Sequence, residues 1–478
     1  MFKSNLVTKR LLRVCLLVLP LLLAGAAMGT PVVHWLGYNV PLSLSADGSV
    51  VAGNTYDGNY EAFRWTELTG LVTLGAHTGS LGIGAGTPDI SDDGLRISAT
   101  VLSPDSTAAT QGIWVKGEGW HYTMPPVPAD GGLIDRKYGS SWGISGDGNT
   151  LVGLYWRPGQ TEGGSAHANT WTLDDSTFTG LPSPFRNCRA NDANYDGSVV
   201  VGWSEKENGV WQPTVWENGQ VEVIAPTDAF TEVKGVSNDG NTLWGHAINS
   251  ATSTVEAAVW LRTPDGWQEN ILGALPGTFP GYGKAICRDM TEDGTMAVGY
   301  NKFTNGSDSG FVWTLSEGMV SANDFLAARG VVLPDNFLVA DLPSISHDGR
   351  VMCGYGYDTT VYPYHLQGFI IELDDASPVA ATPGLQGLVF EANYPNPFNP
   401  STTLALSLDR TMDVAVDIFD ARGRLVRTLH RGPLVAGRNE LPWDGRDDRG
   451  QQSPSGVYFS RAAANNGSVR SERMMLVK

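Results

Sequence analysis

An Asp-Gly pair returns seven times along the chain, at Asp47, Asp93, Asp147, Asp196, Asp239, Asp293 and Asp348, with spacings of 46, 54, 49, 43, 54 and 55 residues. Six residues beyond each Asp stands a small residue: Gly53, Ala99, Gly153, Gly202, Gly245, Gly299 and Gly354. Further on, an aromatic and apolar stretch ends in Trp65, Trp114, Trp171, Trp216, Trp260 or Trp313, and the seventh copy has Phe369-Ile370-Ile371 instead. Self-similarity at such a period means stacked supersecondary units rather than one irregular core.

Each unit has a physical reading. Ser-x-Asp-Gly followed by Val-Val-x-Gly is a hairpin signal, with Asp-Gly expected to supply the two positive-φ positions of a type I′ turn. The small residue six positions on ends the second strand or lets backbones approach closely. The Trp stretch is a third strand, and Gly70–Gly75 and Gly219–Ile224 show a fourth. With 58 Gly, 15 Trp and only 17% charged residues, a helical bundle is disfavoured and a turn-rich all-β chain is favoured. Four strands in each of seven units predict an all-β fold, a seven-bladed β-propeller over residues 30–373. A β-solenoid is the competing solution, though its repeats are usually shorter. The seventh unit lacks a fourth strand, and residues 31–37 are a spare one, so this N-terminal strand is expected to close the last blade.

The first copy, Leu44 to Gly53 followed by Ala62-Phe63-Arg64-Trp65, resembles the extracellular HAF-type repeat, and the resemblance extends over residues 30–373. It implies an exported propeller and no particular activity.

Net charge is −18, and residues 30–387 hold 16 basic against 40 acidic groups. Such a surface repels nucleic acid and anionic membrane. Residues 1–29 read as a signal peptide: Lys3 to Arg13 are basic, Val14–Leu23 is apolar, and small residues follow. No second apolar stretch is long enough to span a bilayer, so no transmembrane segment is expected in the mature chain. Cys188, Cys287 and Cys353 fit no zinc spacing and read as buried small hydrophobes, with one disulfide left possible in an oxidising compartment.

Residues 374–387 read as a linker, and 388–478 as a small Ig-like β-sandwich of short alternating strands. Its motif residues are Asn393-Tyr394-Pro395-Asn396-Pro397-Phe398-Asn399-Pro400, Trp443-Asp444-Gly445 and Gly456-Val457-Tyr458. They resemble the C-terminal sorting domain of type IX secretion, and equally the Ig-like domain of the flagellar hook-capping protein. The first resemblance implies a Gram-negative envelope, a secretion-machinery partner, and an extracellular or outer-membrane surface location.

No catalytic constellation stands out. The eight His have no metal-ligand spacing, and nucleophile-elbow and phosphate-loop motifs are missing. The Asp-Gly units lack the alternating oxygen ligands of calcium loops, so each Asp reads as a turn former, and no catalytic, metal or cofactor-binding residue is assigned. Ser145–Thr150 and Ser237–Thr242 resemble the sialidase Asp-box only superficially, because Gly follows Asp at once. Trp120, Trp142, Trp156, Trp203, Trp211, Trp244 and Trp267 fall off the third-strand register, where they pack between blades or meet a ligand at one face. The expectation is a surface binding protein for an extracellular glycan or protein. A polysaccharide-active hydrolase or lyase, and a structural surface-layer component, stay open as alternatives.

Overall fold

The computed structural model describes residues 31–56, 60–77, 86–103, 109–123, 139–157, 165–185, 187–277, 284–303, 308–373, 388–394, 398–408, 411–420, 424–435, 437–464 and 469–477. The segment 1–29 and the linker 374–387 lie outside them. The chain divides into two compact units, broadly the repeats and the C-terminal module.

Among the described residues the repeats are antiparallel β apart from one parallel pairing and one short helix, Ala322–Ala328, capped by Ser321 and not anticipated from the sequence. Hydrogen bonding yields seven groups of four strands in sequential order. Two of them, over Glu232–Gly273 and Lys284–Ser321, are joined by a single parallel pairing, Val255 to Lys284. The last group takes its fourth strand from the start of the chain. Val32–Gly37 runs antiparallel to Gln367–Glu372, with Val32 opposite Glu372 and Trp35 opposite Phe369. Six of the seven third-strand positions noted above carry Trp, and four of these (Trp65, Trp171, Trp216 and Trp260) are buried. Trp260 packs with Val215, Val233 and Leu243, so it joins the apolar surface of neighbouring groups.

The turns correct one expectation. Only the Gly of each Asp-Gly pair has positive φ, from +66° at Gly94 to +76° at Gly349; no Asp of the seven does. Type I′ needs both positions there, so the turn is instead a type I turn closed by a left-handed Gly. Gly48 N–H donates to Ser45 carbonyl at 2.8 Å. Ser45 Oγ donates to Asp47 Oδ1 at 2.8 Å and accepts from Val50 N at 3.0 Å. The same pair of bonds recurs at Ser91, Ser145, Ser237, Thr291 and Ser346.

At this turn end the groups are tied in a circuit. Backbone bonds link Ala46 to Asp92, Asp92 to Gly146, Asp147 to Tyr195, Tyr195 to Asn238, Glu292 to His347, and His347 back to Ala46. The remaining junction is made by Asn238 N–H donating to Glu292 Oε2 at 3.2 Å.

The C-terminal module has a three-stranded sheet (Leu388–Tyr394, Thr402–Leu408, Gly437–Trp443) and a four-stranded one (Leu425–Leu434, Met412–Asp420, Gly456–Ala464, Val469–Leu476). Alternating apolar residues from both, including Leu404, Leu406, Val414, Val416 and Ile418, form one core.

Candidate functional site

In six of the seven groups the first strand carries a bulge at one repeat position, five and four residues before the Asp of the turn. Register shifts fall between Pro41 and Ser43, Ser141 and Gly143, Ala190 and Asp192, Val233 and Gly235, Cys287 and Asp289, and Asp341 and Ser344. A bulge sets two residues against one and re-aims side chains. The two bulge columns read Leu42, Pro88, Trp142, Asn191, Lys234, Arg288, Pro343 and then Ser43, Asp89, Gly143, Asp192, Gly235, Asp289, Ser344. All of these but Gly143 line one cavity of about 190 Å³, together with Thr87 and Trp244. Every group therefore contributes its first strand to a shared central space.

The mouth of this space is polar on one side. Glu232 Oε2 accepts from Arg189 Nη2 at 2.8 Å and Asn191 Nδ2 at 3.0 Å, and Glu232 Oε1 meets Lys234 Nζ at 2.6 Å. The Arg189 guanidinium lies 3.7 Å from the Trp142 ring centre, and Trp203, near it, stacks on Trp211 at 4.3 Å. Arg288 Nη2 and Nε donate to Asp341 Oδ2 at 2.9 and 3.2 Å. Burial alone would raise Glu232, but Lys234 and Arg189 outweigh it and hold the carboxyl well below its ordinary value. Burial brings Lys234 down to about 8, against the pull of Glu232. Burial likewise takes His246 down to about 3, so its imidazole is neutral. Three cations thus face two carboxylates.

One residue further in lies a layer of acids on alternate repeats. Asp89 accepts from Ser43 Oγ at 2.6 Å and Ile144 N at 2.9 Å. Asp192 accepts from Val236 N at 3.0 Å, and Asp289 from Ser344 Oγ at 2.8 Å and Ile345 N at 3.0 Å. Each carboxylate clips its own group to the next. They touch cavity space yet are enclosed by protein, and burial raises all three, Asp289 to about 6 and Asp192 well above the ordinary range with help from Asp89. Deeper still, Asn238 Nδ2 reaches across to Asp92 Oδ2 at 2.6 Å, below the acid layer.

The structure places the sequence-singled residues elsewhere. The Asp residues of the seven turns sit at the opposite end from the mouth, bonded within their own turns; Asp47 and Asp293 each accept from the N–H two residues on. Among the sorting-motif residues, Phe398, Trp443 and Tyr458 come together inside the module, with ring centres 5.4 and 5.2 Å apart. Gly445 lies where a Cβ would meet Pro400 carbonyl at 2.5 Å, and Asp444 Oδ1 accepts from Arg446 N at 3.1 Å. Asn393 and Tyr394 end a strand, and Asn399 precedes a cis Pro400. Pro395, Asn396 and Pro397 lie outside the described residues. The three Cys are buried and without a disulfide, and burial pushes each thiol up. Among the off-register Trp, Trp142 and Trp244 line the cavity and Trp203 and Trp211 back Arg189; Trp120 is spent on a bond to Leu74 carbonyl. No lining residue was assigned from sequence. Aligning the repeats on Asp-Gly would have exposed the column containing Lys234 and Arg288.

Comparison with known proteins divides along the same boundary. Residues 396–468 match the FlgD Ig-like domain family. The basal-body rod modification protein FlgD of Salmonella typhimurium is 37% identical over 71 residues, 15% of this chain and 31% of that protein. Its Escherichia coli counterpart is 30% identical over 89 residues, 18% of this chain and 38% of that protein. The chain thus spans about a third of the length of these relatives. Solved structures similar to this chain include the β-propeller domain of the Trilobed protease from Pyrococcus furiosus (TM-score 0.41, 12% identity, 69% of this chain and 94% of that one). Oligogalacturonate lyase from Vibrio parahaemolyticus is another (TM-score 0.46, 11% identity, 73% and 99%). A third is TolB from Acinetobacter baumannii (TM-score 0.35, 14% identity, 60% and 61%).

Proposed function

We propose that this chain is an exported binding protein, a seven-bladed β-propeller of HAF-like repeats whose ligand meets the mouth of the central cavity. The single observation that carries it is the convergence of every repeat's first strand on one small polar space. Function at such a site comes from what lines it, not from the fold. The lining pairs each cation with a carboxylate, and its two serines, Ser43 and Ser344, donate to Asp89 and Asp289 at the joints between repeats, an arrangement suited to holding a ligand. The basic and apolar segment 1–29 and the type IX-like motif of the FlgD-like module support export to the outer-membrane surface or medium of a Gram-negative cell, with the secretion machinery as the module's partner.

Intact-mass analysis of native protein from cell surface, periplasm and medium tests this. The expected mature form lacks residues 1–29 and is found outside the outer membrane. Periplasmic protein that keeps the module would overturn the sorting reading, and cytoplasmic protein with an intact N-terminus would overturn export.

A further inference from the structure

We propose that the mouth binds the carboxylate of an acidic sugar, a uronate residue at the end or branch of a glycan, held by Lys234 and Arg288. The proposal rests on the binding-protein reading and names its ligand class. Lys234 spends one of three donors on Glu232, and Arg288 spends two of five on Asp341, so both line the cavity with donors to spare. Their side chains are 16% and 30% exposed, enough to be reached and enclosed enough for a charge-assisted bond to count. With Arg189 they face Glu232 and Asp341 at this level, and the three acids further in, Asp89, Asp192 and Asp289, are each raised by burial, which lessens the negative charge an entering carboxylate meets.

The bulge decides what else the ligand must carry. Because it turns consecutive residues toward the same space, Arg288 is followed inward by Asp289, and Asn191 by Asp192. A ligand whose carboxylate sits on Lys234 and Arg288 presents its other groups to acid oxygens, which take hydroxyl donors. Hydroxyls suit these carboxyls in either protonation state, whereas an ammonium needs them ionised, which burial opposes. The cavity, of about 190 Å³, is small, which favours a compact ligand group. Trp142 and Trp244 supply apolar edges for the ring's C–H face.

Calorimetric titration of the full chain with glucuronate and galacturonate, set against glucose, galactose and a glycyl peptide, tests this. At least one uronate should bind ten times or more tighter than its neutral counterpart and weaken as salt rises. Lys234→Gln should lose that preference about tenfold while leaving the thermal midpoint near wild type, because Glu232 keeps Arg189 and Asn191. Should that variant misfold, the salt dependence of the wild type still decides. Equal binding of uronate and neutral sugar, preference for the peptide, or no binding of either uronate by exported, folded protein would overturn the proposal while leaving export and the binding-protein reading intact. Cytoplasmic location would instead strike the reading beneath it.

Discussion

Gly202 shows how one missing atom sustains a whole bulge. A Cβ there would lie 2.0 Å from Arg189 carbonyl, and the corresponding Gly53, Gly153, Gly245 and Gly299 would meet Val40, Ser140, Glu232 and Ile286 carbonyls at 2.0–2.2 Å. The second copy has Ala99 instead, and there the first strand is only Asp89–Ile90, paired without a register shift. Gly202→Ala should therefore cost about 2–4 kcal/mol in urea unfolding, and Ala99→Gly less than about 1 kcal/mol. Asp289 yields a second expectation at this scale. Its folded value of about 6 exceeds the ordinary 3.8, so the folded state binds more protons across that window, and stability falls as pH rises from about 4 to about 6. Asp289→Asn removes this dependence. Relative to wild type, the variant should gain on the order of 2 kcal/mol between pH 4 and pH 7, and parallel denaturant curves would read the difference. A constant offset would show that cavity water already solvates the carboxylate.

At the scale of elements, the turn end depends on one hydroxyl in six of the seven repeats, with Asn194 Oδ1 accepting from Val199 N at 2.8 Å in the fourth. Buried Ser145 donates to Asp147 and receives Thr150 N–H at 2.9 Å, so Ser145→Ala strands a buried amide and should cost about 1–2 kcal/mol by thermal or denaturant unfolding. These turns were legible because Ser, Asp and Gly act within five residues of one another, though their geometry was not: Asp47 bonds through its side chain and leaves positive φ to Gly48 alone. The strand periodicities of the C-terminal module were legible for the same local reason. The cavity was not. Lys234 and Glu232 were not singled out, and the bulge between Val233 and Gly235 sets Lys234 on the cavity lining with Arg288 from the next repeat. Trp142 was seen as off register, yet its contact with Arg189 depends on two strands from different repeats. Spacing from the Asp-Gly turns puts Trp142, Lys234 and Arg288 in one column, but it does not show which of them meet across repeats.

For the chain of repeats, the decisive contact is the one between its first strand and its last repeat. His34 Nε2 and Glu372 Oε1 lie 3.3 Å apart across 338 residues of sequence. Removing residues 31–37 should bare the edge of Gln367–Glu372 and drive association, seen as a rise in mass by light scattering. Moving the same segment to follow Leu373 should restore the wild-type mass. Synthesis from the N-terminus makes this segment long before its partner strand exists, so the two stay unpaired while every repeat between them is made. The clasp therefore registers completeness: a chain lacking its last repeat has no partner for Val32–Gly37 and keeps that strand unpaired.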